Sequence, residues 1–322
     1  MSNIHVLTRN AKHVNHLRVS PDLIYLDPPF NVNRRLQMGD IGFDDVWSSE
    51  ADYAQWYTRI VSSMFEVLKT PGTLYCHNNF LNNALLLAAL TPKLRATFDT
   101  NIAWRRSHPH NNIRNGWGNI VDSILVFKKG SPYFQVAYVP LDEKYAAGSF
   151  NNHDLYGKYA LTPITGEKSR PGNVFEYKGM SPEYGWRKTL TEIKALDAAG
   201  RIHFGKRKPY LKLYREESRG APVQNFWNDV HPITRSEVNH REYPTQKPVL
   251  LLERIIRASC PPNGLVLDPF CGSGTTCFAT LNVGEGRSCI VSDVNPDALS
   301  ICRNALTVPY DTDGQNVWPE SA

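Results

Sequence analysis

The chain has 322 residues, 41% hydrophobic and 21% charged, so it reads as a soluble globular protein of one large domain or two modest ones with a real core. No apolar run approaches the roughly 18 residues of a membrane span, and MSNIHVLTRN at the N-terminus lacks the basic-then-apolar pattern of a secretory leader, so the expected compartment is the cytoplasm. A net charge of +5 leans weakly towards polyanions, and six cysteines with no CxxC pair and no zinc-like Cys/His spacing argue against disulfides and a structural metal.

Along the first 130 residues, strand and helix patterns alternate. DLIYL (22–26) is a short buried strand that runs straight into DPPF (27–30). Proline cannot donate to a sheet ladder and turns the residue before it away from helix, so the strand must stop in a stiff loop that presents Asp27 and Phe30. Residues 49–69 carry Tyr53, Trp56, Tyr57, Ile60, Val61, Met64, Phe65 and Leu68 at spacings of three and four, the mark of an amphipathic helix, and Ser49 with Asp52 forms a capping-box variant at its start. TLYCH (73–77) is the next strand, a helix covers about 80–91, and strands follow near 99–105 and 122–128. This alternation predicts a mostly parallel sheet covered by helices on both faces.

Between 131 and 240 the periodic signals shorten and Gly, Pro, Asn, Tyr and charged residues dominate. A segment that long is too much for one loop and reads as a separate, irregular α+β module. Within it, RIHFGKRKPYLKLYREESRG (201–220) interleaves seven Lys/Arg, among them Lys206, Arg207 and Lys208, with Phe204, Tyr210 and Tyr214. That mixture suits phosphates and bases, though a solvated hairpin face has the same composition.

After 241 the alternation resumes. Thr245 is a plausible N-cap, with Pro248 in the first turn of the helix VLLLERIIRAS. GLVLD (264–268) is a strand, CGSGTTCFATL passes from turn to helix, CIVSD (289–293) is a strand, and Asn295-Pro296 opens a last helix.

LVLDPFCGSGTT (265–276) is the strongest local signal. Gly272 and Gly274 let the backbone turn tightly and leave room for a ligand. A dinucleotide fingerprint fails because position 277 is Cys, and a P-loop fails for want of lysine. Nineteen residues after Gly274, Asp293 ends the next strand, where a carboxylate can accept two ribose hydroxyls. The combination suits an adenosine-containing ligand without a pyrophosphate. In REYPTQKP (241–248), Lys247 stands at a helix N-terminus, a place suited to a carboxylate.

DPPF, PTQKP and DPFCGSGTT, in this order and with an irregular segment between the first and the other two, resemble the β-class DNA amino-methyltransferases that use S-adenosylmethionine. The resemblance covers most of residues 20–130 and 240–305. It implies a doubly wound Rossmann-like α/β sheet with circularly permuted motifs. The expected division is a catalytic half (1–130), an inserted target-recognition module (131–240) and a cofactor-binding half (241–322). It also implies roles for single residues. Asp27, Pro28, Pro29 and Phe30 would be catalytic. Asp268, Phe270, Gly272, Gly274 and Thr275 would line the S-adenosylmethionine pocket, Asp293 would hold the ribose, and Thr245 with Lys247 would meet the methionine end. The family often has a Gly-Asp pair near the N-terminus whose acid approaches the cofactor adenine; here the stretch is Leu7 to Asn10, LTRN, without an acid.

The implied partner is double-stranded DNA, with homodimerisation common in the class. The chain offers no room for a nuclease domain, so a cognate restriction endonuclease would be a separate polypeptide. Arg105, Arg106, His108 and Asn111 of AWRRSHPHNNIRNGWGN (103–119) are of the types that read base edges, and Arg34 and Arg35 follow DPPF where a loop would cover DNA. An Asp in first place favours adenine N6, since cytosine-N4 members more often carry Ser there. Cytosine-N4 methylation of DNA, RNA methylation, and a DNA-binding protein on a degenerate methyltransferase fold are the other readings.

Overall fold

In a computed structural model of the chain, residues 4–8, 19–38, 41–109, 114–233 and 243–307 are described. The chain forms two compact units, Met1–Ala137 with Val223–Ala322, and Tyr138–Pro222. In chain order, the first unit opens with β1 (Ile4–Thr8), β2 (Leu23–Leu26), β3 (Arg34–Met38), β4 (Ile41–Asp45), α1 (Glu50–Val67), β5 (Gly72–Asn78), α2 (Phe80–Ala89), α3 (Pro92–Arg95), β6 (Phe98–Arg105) and β7 (Val121–Lys129). The second unit holds β8 (Tyr138–Val139), α4 (Glu143–Ser149), β9 (Asn152–Asp154), β10 (Gly157–Pro163), α5 (Leu190–Ala198), β11 (Ile202–Phe204), β12 (Pro209–Tyr214) and β13 (Ala221–Pro222). The first unit then resumes with β14 (Phe226–Trp227), α6 (Val249–Ser259), β15 (Leu265–Asp268), α7 (Thr275–Val283), β16 (Ser288–Asp293) and α8 (Pro296–Thr307).

The first unit is built on an eight-stranded sheet in the order β1-β16-β15-β2-β5-β7-β6-β14. Strand side chains alternate between its two faces. Leu23 and Tyr25 of β2, Val266 of β15 and Val126 of β7 face one apolar core with Leu251, Ile255, Phe278 and Leu299 of α6, α7 and α8. Ile24, Leu26, Leu267 and Phe127 face the other, with Tyr57, Ile60, Met64 and Leu86 of α1 and α2. Helices thus cover both faces, as the alternation predicted. α1 begins where Ser49 accepts the N–H of Asp52.

The sheet is mostly parallel, as expected, with five parallel pairings and β7 running antiparallel to both β5 and β6. Two expectations differ from what is observed. α6 starts at Val249 with Pro248 as its N-cap residue, not at Thr245, since the residue before a proline is held out of helix. The segment read as a module over 131–240 is longer at both ends than the second unit. Trp227 and Val230 pack in the core of the first unit, and β14 adds a parallel edge strand to β6.

Within the second unit, an antiparallel sheet in the order β11-β12-β10-β9 covers a small core of Ile164, Trp186, Ile193 and Ile202. Among the described residues no helix is long and apolar enough to cross a membrane.

The joint between β2 and β15 is the feature that positions the site. Both are parallel, with Leu23 opposite Val266 and Ile24 opposite Leu267. Asp22 ties them further, its side chain accepting from the Leu265 N–H at 2.9 Å and from Lys69 Nζ at 2.7 Å. Asp22→Ala should lower the unfolding free energy by about 1–3 kcal/mol, the cost of an orphaned buried donor, read as a lower urea midpoint at unchanged m-value; an unaltered midpoint contradicts the role given to this carboxylate.

Candidate active site

A cleft of about 840 Å³ opens in the first unit where β2, β15 and β16 end. The DPPF stretch forms one wall, and its backbone is held on three sides. The buried carboxylate of Asp45 accepts the N–H groups of Phe30, Asn31 and Val32 at 3.0, 2.8 and 3.3 Å. The Tyr53 hydroxyl donates to the Pro29 carbonyl at 2.6 Å. Asn79 and Asn82 amides donate to the Phe30 carbonyl at 3.1 and 2.7 Å. Asn31 and Asn33 turn the chain back with φ of +54°, a left-handed conformation that Asn tolerates better than most residues. The carbonyls of Pro29 and Phe30 are therefore occupied, while among the described residues none donates to that of Pro28.

Asp27 is 15% exposed, and both its carboxylate oxygens meet Lys247 Nζ, at 2.6 and 2.8 Å. The same ammonium lies 5.2 Å from the centre of the Phe30 ring, within cation–π range. Behind Asp27 stand groups the sequence reading did not name. His77 is wholly buried, with Tyr25, Asp122 and Trp104 around it. Burial, and then the negative charges of Asp27, Asp268 and Asp122, push the Tyr25 phenol well above its ordinary range, so it stays protonated.

On the opposite wall, the glycine turn is shaped by close packing. Gly274 has φ +82°, and a side chain there would meet Cys302 Sγ at 2.4 Å; one at Gly272 would meet the Tyr243 ring at 2.9 Å. Tyr243 in turn stacks on Phe43. Asp293 accepts from the Gly272 and Asn295 N–H groups, both at 2.9 Å. Burial raises its carboxyl above the usual range against those bonds. Asp268 is only 2% exposed and turns its carboxylate onto the Phe270 N–H and the Thr276 hydroxyl. It braces the turn from beneath. Burial drives its carboxyl from 3.8 to about 7, partly countered by those two bonds.

Asp27, Pro28, Pro29, Phe30, Arg34, Arg106, Thr245, Lys247, Asp268, Phe270, Gly272, Thr275 and Asp293 all line this one cleft; Gly274 caps the start of α7 beside it. Lys247, which the resemblance assigned to the methionine end, meets Asp27, and its carbonyl accepts from the Thr275 hydroxyl at 3.2 Å. Arg34 and Arg35 lie on exposed β3, Arg35 paired with Asp44. Arg105 meets His231 and Arg106 meets Asp122. His108 stacks on His231. Lys206, Arg207 and Lys208 form an exposed turn between β11 and β12 of the second unit. Asn111, and Arg9 and Asn10 of the LTRN stretch, fall outside the described residues.

The supports Asp45, Tyr53, Asn79 and Asn82 escaped the sequence reading. One available signal was HNNFLNN (77–83), which sets four amides around the first turn of an otherwise apolar helix.

The profile of the N6/N4 DNA methylases matches residues 21–304. The chain belongs to this family. Among its relatives, the type II methyltransferase M.EcaI of Enterobacter cloacae is 30% identical over 295 residues, 87% of this chain and 64% of that protein. The Mod subunit of the type III restriction-modification enzyme StyLTI of Salmonella typhimurium is 24% identical, over 82% of this chain and 47% of that one. The chain thus spans less than two thirds of either relative. The DNA adenine methyltransferase YhdJ of Escherichia coli is 23% identical, over 90% of this chain and 77% of its own. The M1.HpyAVI–SAM complex shares the fold, with a TM-score of 0.52 at 16% identity, over 95% of this chain and 100% of that one.

The raised carboxyl of Asp268 gives the chain a pH signature. From about pH 4 to about pH 7 the folded chain keeps a proton that the unfolded chain has lost, so stability falls as pH rises through that window. Asp268→Asn should flatten that part of a plot of Tm against pH, and an unaltered slope contradicts the assignment.

Proposed function

We propose that the chain transfers a methyl group from S-adenosylmethionine to an exocyclic base amine of DNA, and that the amine is N6 of an adenine turned out of the duplex. The observation that carries this reading is the DPPF wall. Its backbone is pinned by Asp45, Tyr53, Asn79 and Asn82, while Asp27 and Pro28 line the cleft and offer a carboxylate and a carbonyl as two acceptors.

An exocyclic amine is a poor nucleophile because its lone pair is delocalised into the ring. Accepting its two N–H groups at Asp27 and at the Pro28 carbonyl favours a more tetrahedral nitrogen with a directed lone pair. Because the loop is already rigid, little freedom is lost when the amine docks. Phe30 offers a face for the base, and stacking worth about 1–3 kcal/mol offsets part of the few kcal/mol that flipping costs. Bound S-adenosylmethionine supplies an electrophilic methyl on its sulfonium.

The opposite wall fits that cofactor. Each Asp293 oxygen spends one lone pair on a backbone N–H, and the remaining acceptor capacity suits the two ribose hydroxyls. The stacked Tyr243 and Phe43 and the edge-on Trp56 and Phe270 give an aromatic lining for a nucleoside. A cleft of about 840 Å³ is within the range of small-molecule sites. Thr245 and Lys247 line the same cleft and are proposed to meet the amino-acid end.

DNA as the substrate is supported by family membership, and adenine by Asp in first place and by a relative named as a DNA adenine methyltransferase. Relatives named as type II and type III modification enzymes support a role beside a separate restriction endonuclease. The basic turn Lys206 to Lys208 and the arginines Arg34, Arg105 and Arg106 are the proposed phosphate and base contacts.

Asp27→Ala should cut methyl transfer to below about 1% while cofactor affinity, measured by calorimetry, stays that of the parent chain. Asp293→Ala should weaken cofactor binding about 10- to 100-fold, the loss expected for hydrogen bonds to a charged acceptor. An active Asp27→Ala chain, or unaltered affinity in Asp293→Ala, contradicts the respective role.

A further inference from the structure

His77 has no part in the chemistry set out above, yet it is wholly buried directly behind the acceptor wall. Its Nδ1 is 2.6 Å from the Tyr25 hydroxyl and 3.9 Å from Asp27 Oδ1. Its Nε2 is 3.2 Å from Asp122 Oδ2, and Asp122 Oδ1 meets Arg106 Nε at 2.8 Å. The ring packs against Phe30 at 5.6 Å between centres and against the edge of Trp104 at 5.5 Å. One imidazole therefore touches both the acceptor and the stacking face of the site.

These contacts favour one tautomer of the ring. A buried phenol needs an acceptor for its hydrogen, and among the described residues the acceptor that meets Tyr25 is His77 Nδ1. That leaves the proton on Nε2, where Asp122 accepts it. With Nδ1 serving as an acceptor, His77 has no hydrogen to give Asp27. It fills the space behind the carboxylate without occupying a lone pair that the incoming amine needs.

We propose that His77 is a positioning residue for methyl transfer, its tautomer set by Tyr25 and Asp122, which holds Asp27 and Phe30 in place and adds no donor to Asp27 beyond Lys247, so that the remaining lone pairs can accept the amine. This rests on the reading of Asp27 given above. Removing the Tyr25 hydroxyl takes away the donor that holds Nδ1 as an acceptor. The ring then loses an anchor behind Asp27, and a carboxylate displaced by an ångström slows the step by up to about 10²-fold.

The test is single-turnover transfer of labelled methyl from S-adenosylmethionine to long unmethylated duplex DNA, with cofactor affinity measured by calorimetry on the same preparations. Tyr25→Phe, which removes a single oxygen, should slow the transfer step about 10-fold, and His77→Asn about 10- to 100-fold, with cofactor affinity unaltered in both. The double variant should be no slower than His77→Asn alone, because both act through one ring. Nitrogen-15 spectra of histidine-labelled protein should show the His77 proton on Nε2 in the parent chain and a displaced Nδ1 signal in Tyr25→Phe, where the hydrogen-bond donor to Nδ1 is lost. Parent-level transfer by a folded Tyr25→Phe chain, a loss confined to cofactor binding, or a proton on Nδ1 in the parent overturns the proposal. Should His77→Asn fail to fold, Tyr25→Phe and the spectra decide. Asp27→Ala run alongside separates the two failures. If it is inactive while the Tyr25 and His77 variants turn over normally, only the positioning role falls; if it is active, the reading of Asp27 falls.

Discussion

The parallel pairing of β2 with β15 is the constraint on which the site depends. The two strands lie about 240 residues apart in the chain, and their register sets the ends of both on one edge of the sheet. DPPF follows one strand and DPFCGSG the other, so the DPPF wall and the glycine turn share a cleft by virtue of a backbone ladder. The Lys247–Asp27 pair crosses the same junction over a separation of 220 residues. With both partners mostly shielded from water, desolvation offsets much of their attraction. The pair serves direction more than stability, because one ammonium holds both carboxylate oxygens and lies over the Phe30 ring as well.

A rigid loop is expensive in conformational entropy unless its backbone groups are satisfied locally. Here that work falls to polar side chains from three elements. Asp45 at the end of β4 gathers three N–H groups, Tyr53 of α1 reaches Pro29, and the Asn79 cap and Asn82 of α2 take the Phe30 carbonyl. These amides are themselves linked, Asn78 donating to Tyr53 and accepting from Asn82. A network satisfied throughout holds a loop more firmly than its separate bonds suggest, and it explains why two prolines alone do not make the site.

Much of this was legible in the sequence, and for physical reasons. Apolar runs such as LIYL and LVLD, and the threes-and-fours of α1, reflect burial, which periodicity reports directly. Glycines at 272 and 274 and the acid at 293 stand where a ligand or a tight turn demands them. The direction of β7 was not legible, because strand orientation follows from the connection and not from the strand's own pattern. Nor were the partners of Asp27. Lysine beside a helix start reads as an anion site, and only the fold reveals that the anion it meets is Asp27. His77 and Asp45 carry no local signal at all, since their roles depend on neighbours 45 and 14 residues away.

Base-resolution sequencing that detects modified bases, on DNA from cells expressing this chain in a background free of other methylation, tests the central claim most directly. The account predicts N6-methyladenine confined to one sequence context and absent from cells carrying an empty vector. DNA without modified bases, or methyl groups found only in RNA, would contradict it.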